Sequence, residues 1–139
     1  VYEQDYLMRQ ILQFVEALTK TRIQEERKLD PLDSARSIED AFSRATDLDG
    51  KAMLSLAPES MASVMDVSGI EPRIVRYLAH GLLLESVYLQ QGGEGDLADL
   101  RAAQARALAG RFGIELPDDP TDFSALEDAA LSQYDQEDR

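Results

Sequence analysis

Residues 71–112 read EPRIVRYLAHGLLLESVYLQQGGEGDLADLRAAQARALAGRF, and this stretch decides the fold. Pro72 suits a first helical turn, where its missing N–H would have had no intrahelical partner. Behind it Ile74, Val75, Tyr77, Leu78, Ala79, Leu82, Leu83, Leu84, Val87, Tyr88 and Leu89 occupy nearly the whole circumference of a helix. A helix that is apolar all round needs neighbours on every side, so it belongs in the middle of a bundle. Gly92-Gly93-Glu94-Gly95 breaks it, and Asp96 is placed to cap a second helix. Leu97, Leu100, Ala103, Ala107 and Leu108 give that helix its expected buried stripe. Ala102, Ala105 and Ala109 permit close approach of neighbouring backbones, and Gly113 can end it. The product is an antiparallel helix hairpin.

A second hairpin is expected at the N-terminal end. Leu7, Ile11, Phe14 and Leu18 recur at helical spacing, widened by Met8, Leu12 and Val15, which predicts an amphipathic helix from about Glu3 to Lys28. Asp5 with Arg9 and Glu16 with Lys20 are i,i+4 pairs with the acid first. Asp30-Pro31 opens the next helix, whose stripe is Ala35, Ile38, Phe42 and Ala45, with Gly50 as its expected C-terminal stop. Between the hairpins, residues 51–70 show no period-two alternation and predict short helical pieces. Their Met53, Met61 and Met65 make an adaptable apolar surface that fills the core or forms a groove for a partner. The fold class is therefore all-α, an antiparallel helix-hairpin bundle of five to six helices.

Charge divides the chain. Of the net charge of −13, the stretch from Glu115 onward carries −8, nine acids against Arg139, so residues 1–114 carry only −5. The expected organisation is a bundle domain over 1–114 and a loosely attached acidic tail over 115–139. Pro117-Asp118-Asp119-Pro120 serves as a linker, and a short helix over 121–134 carries Phe123, Leu126, Ala130 and Tyr134. This balance argues against nucleic acid and anionic membranes, which require clustered Lys and Arg. No apolar run approaches the ~20 residues of a membrane span, and the first residues show no basic, apolar leader pattern, so a cytoplasmic protein is expected. Zero cysteines exclude disulfides, thiolate metal sites and cysteine nucleophiles within this sequence.

Few constellations carry chemistry. His80 is the sole histidine, and no HExxH or paired ExxH accompanies it, so no metal and no cofactor is expected. No serine sits in a G-x-S-x-G elbow, so no catalytic residue can be named. Gly92 to Asp96 follows a helix and lacks the Lys-Ser or Lys-Thr of a phosphate loop; it reads as helix punctuation. Asp47-Leu48-Asp49-Gly50 has Pro58 where a calcium loop needs its glutamate. Arg73, Arg76 and His80 share one edge of the central helix, with Tyr77 beside them. That edge is either a solvated stripe or a small pocket for a carboxylate or phosphate.

The second hairpin resembles tetratricopeptide-repeat units. Leu84, Tyr88, Gly92 or Gly93, Ala98 and Ala105 fall roughly where such repeats place small and aromatic packing residues. The turn has about one residue too many, the usual early tryptophan is absent, and the first hairpin fits less well. Asp5-Tyr6-Leu7-Met8-Arg9-Gln10-Ile11, followed after a 30-residue gap by a helix ending in Leu48-Asp49, resembles the opening of an uncharacterised bacterial all-helical domain family over residues 2–112. That resemblance implies a long first helix ahead of tetratricopeptide-like hairpins, and no catalytic group.

The expected function is that of a non-enzymatic helical adaptor or scaffold that binds another protein through a hairpin groove. The first helix is a further surface for homo-oligomer formation, since its apolar stripe is wider than one partner helix covers. The alternative is a small-molecule-binding sensor or regulatory domain, with an anion-accepting pocket built from Arg73, Arg76, Tyr77 and His80.

Overall fold

A computed structural model describes residues 2–46, 48–124, 126 and 128. Its helices are α1 (Tyr2–Glu26), α2 (Pro31–Thr46), α3 (Gly50–Leu54), α4 (Pro58–Val67), α5 (Pro72–Gln91) and α6 (Gly95–Phe112). They make an all-α bundle, with no strand among the described residues. The two hairpins, α1–α2 and α5–α6, join through packing of α5 against both α2 and α1, while α4 packs on α6 and α3 on α2. The apolar circumference of α5 is thereby explained. Ile74, Val75, Tyr77, Leu78, Ala79, Leu82, Leu84, Tyr88 and Leu89 are all buried.

Local chemistry sets the helix ends. Asp30 accepts from the Leu32 N–H at 2.9 Å and Glu71 from the Arg73 N–H at 3.2 Å, each answering an orphan donor at a helix that begins with proline. α1 stops two residues short of the expected Lys28, because Lys28 itself turns left-handed at φ 57°. The Lys28 N–H then donates to the Glu25 carbonyl and the Leu29 N–H to that of Gln24, a Schellman closure. Gly93, at φ 84°, closes α5 in the same way, with its own N–H on Gln90 and that of Glu94 on Leu89. Lysine is the costlier residue in that conformation.

Three expectations need correction. Gly50 opens α3, under an Asp49 cap that accepts from the Ala52 N–H, and does not close α2. Asp96 lies inside the first turn of α6, whose cap position is Glu94 with no side-chain bond. The buried face of α6 is Ala98, Arg101, Gln104, Ala105 and Leu108, so the helix is rotated from the stripe its leucines suggested. Leu97, Leu100, Ala103 and Ala107 are half-buried. The reason is polar: Arg101 and Gln104 answer buried acceptors on other elements.

The core also runs past the boundary expected at residue 114. Phe123 and Leu126 are buried in the same cluster as Phe14, Phe42 and Tyr77, so these two residues of the acidic stretch pack onto the bundle. Of the helix expected over 121–134, residues 124, 126 and 128 are helical, while Ala130 and Tyr134 lie outside the described residues.

Candidate functional site

Helix α5 carries the four residues singled out from the sequence, and the structure separates them. Arg73 is exposed and held at the helix start by Glu71, through Nε to Oε1 at 2.9 Å and a second nitrogen to Oε2 at 3.2 Å. Tyr77 is buried in the core, where loss of water raises its phenol above the ordinary range. Arg76 and His80 do come together. They line a hollow of about 270 Å³ whose other walls are Glu115, Leu116, Pro117 and Leu126. The anion pocket expected from four residues therefore reduces to two, one of them already engaged.

That engagement is specific. His80 Nε2 lies 2.7 Å from the Pro120 carbonyl oxygen, which can only accept, so this nitrogen carries the proton. Burial lowers the His80 pKa, opposed by the Pro120 bond and by Asp122, so the ring is neutral near pH 7. Its edge meets Phe123 at 5.7 Å between centroids, and the Arg22 guanidinium lies 4.6 Å from the centroid of the same phenyl ring. His80 thus anchors the segment around Pro120 to the bundle.

A second cluster went unread in the sequence. Arg101 of α6 is 5% exposed and has four bonds: Nε to Glu85 of α5 at 3.0 Å, one terminal nitrogen to Glu39 of α2 at 2.9 Å, and the other to the Leu54 carbonyl and to Gln104 Oε1. The Gln104 amide donates to the Leu54 and Leu56 carbonyls at 3.0 and 2.9 Å. The C-terminal end of α3, which would otherwise leave orphan carbonyls inside the protein, is answered by two side chains of α6. Two carboxyl groups on one guanidinium do not both ionise easily away from water. Burial, then the hydrogen bond with Glu39, push the Glu85 pKa up to about 9 against the pull of Arg101. Glu85 Oε1 is buried with no donor reaching it. A protonated Glu85 that donates to Glu39 leaves one anion on one cation. The sequence held one sign of this: a carboxylate on a helix with no solvent face must find a buried partner.

A third feature is a shallow groove along the α5–α6 hairpin, about 400 Å³, lined by Ser86, Val87, Gln90, Gln91, Ala98, Asp99 and Ala102. Among the described residues, no group of three or more His, Cys, Asp or Glu side chains is placed to hold a metal ion. No described helix is long and apolar enough to cross a membrane. Comparisons with protein-family models, with curated proteins and with solved structures give no match.

Proposed function

We propose that this protein is a non-enzymatic, cytoplasmic helical adaptor that takes an amphipathic segment of another protein against the α5–α6 hairpin. The groove carries this reading. Val87, Ala98 and Ala102 offer an apolar floor of small and medium side chains, against which a partner helix can pack closely. Ser86, Gln90 and Gln91 supply hydrogen bonds and Asp99 adds one negative charge, a polar surround of the kind interfaces commonly have. The groups that would suggest a reaction are bonded within the chain: His80 to Pro120, and Glu39 and Glu85 to Arg101.

The test is a photo-crosslinking residue at Gln90, used in the native cell with and without Ala102→Arg. A discrete adduct that is lost in Ala102→Arg and kept in Arg76→Ala supports the groove. Adducts that persist in Ala102→Arg, or a failure to trap any protein from Gln90, refute it.

A second reading, a sensor domain, rests on Arg76, which faces the 270 Å³ hollow and has no ion pair among the described residues. A carboxylate or phosphate compound that raises the melting temperature of the wild type but not of Arg76→Ala would favour it. Stabilisation that survives in Arg73→Ala with Arg76→Ala would end it.

A further inference from the structure

Helices α1 and α2 enclose a hollow of about 210 Å³ whose lining includes Arg9, Gln13 and Arg44, over a floor of Phe14, Ala41 and Ala45. Among the described residues, two arginines and no carboxylate line it, in a chain with 27 acidic and 14 basic residues. Each arginine follows an aspartate by one helical turn, Asp5 before Arg9 and Asp40 before Arg44. Local pairs do form on the same two helices, Lys20 with Glu16 on α1 and Arg36 with Asp33 on α2. Yet among the described residues neither Arg9 nor Arg44 pairs with its aspartate or with any other acid. Both arginines line the hollow instead. Like charges on the walls of one hollow repel, and an anion between them removes that cost.

We propose that the α1–α2 hollow is a binding site for a doubly charged oxyanion of the phosphate type, clamped between Arg9 and Arg44. Guanidinium groups suit it because their planar donor forks bind phosphate oxygens in pairs. Gln13 supplies an uncharged amide donor. The apolar floor accepts a small carbon body attached to the anion. A volume of about 210 Å³ lies below the ~300 Å³ at which drug-sized pockets begin, so the ligand is a small phosphorylated compound or phosphate itself. This site is separate from the Arg76 hollow, which has Glu115 in its wall and, among the described residues, a single arginine.

Inorganic phosphate is the probe, titrated at low ionic strength into the full chain and followed by nitrogen-15 NMR of the arginine Nε–H groups. The expected result is a saturable shift of the Arg9 and Arg44 signals, with chloride at matched ionic strength giving none. Arg9→Gln and Arg44→Gln should each weaken binding by about tenfold or more, the scale of a charge-assisted bond. Arg76→Gln should leave it unchanged. Both arginines are exposed, so the variants retain the fold, which circular dichroism checks. Equal shifts with chloride, binding that survives in Arg9→Gln and Arg44→Gln, or binding lost in Arg76→Gln would each overturn the assignment.

Discussion

Replacing Glu85 by glutamine should stabilise this protein at neutral pH, and by an amount that grows as pH rises. Glu85 is fully buried, with its pKa raised from 4.5 to about 9. A raised carboxyl favours folding most where both states are protonated, below about pH 4.5. Above that the unfolded chain releases the proton while the folded chain keeps it, so stability falls by about 1.4 kcal/mol per pH unit until the folded group itself titrates. At pH 7 the accumulated loss is on the order of 3 kcal/mol. Glutamine keeps the shape, accepts from Arg101 Nε in place of Oε2 and donates to Glu39, but has no proton to lose. Urea unfolding followed by circular dichroism at about pH 4.5, 6, 7.5 and 9 measures the difference, across the window in which only the unfolded group ionises. The two proteins should agree near the acid end and diverge steadily, with the Glu85→Gln variant ahead at neutral pH by about 3 kcal/mol. A gap that stays constant across this range, or a variant less stable throughout, would mean that Glu85 folds as an anion against Arg101.

Other changes probe packing, the turns and the outer face of α1. A Cβ on Gly81 would lie 2.6 Å from Phe14 Cζ and 2.9 Å from Cε1, so Gly81→Ala should destabilise by about 1–2 kcal/mol despite the better helix propensity of alanine. Phe14→Leu in the same background should recover part of that loss, read as a coupling energy in a double-mutant cycle; independent effects would deny the contact. Lys28→Gly relieves a left-handed lysine and should add about 0.5–1 kcal/mol in chemical unfolding, whereas a loss of stability would argue that Lys28 is unstrained. Leu12 and Ile23 stay 49% and 44% exposed on α1 and lie on one face, about three turns apart. If that face self-associates, sedimentation velocity should show a weight-average coefficient rising with concentration in the wild type and flat in Leu12→Glu with Ile23→Glu; a wild type that is equally flat removes the idea.

The hairpins were legible because burial against several partners leaves a plain mark on a helix: apolar positions all round α5 and no broad polar stripe to face water. What escaped was polar burial, which has no local period. Arg101 meets Glu39 across 62 residues and the Leu54 carbonyl across 47, and a stripe drawn through the leucines of α6 turns that helix the wrong way. The four residues on the edge of α5 follow the same rule at finer scale. Arg76 and His80, four apart, do share a face, while Tyr77 points into the core and Arg73 is claimed by the acid two residues before it. The acidic end follows a different rule. Net charge reports how a segment repels itself, not whether it is attached. Phe123 and Leu126, three apart on one face, bury against the bundle, and the Pro120 carbonyl satisfies a histidine that would otherwise be stranded inside. Asp118, Asp119 and Asp122 remain exposed while this happens, so docking does not require desolvating a single one of those charges. A segment can therefore be strongly acidic and still complete the core, provided that its apolar residues keep helical spacing and its charges keep the other face.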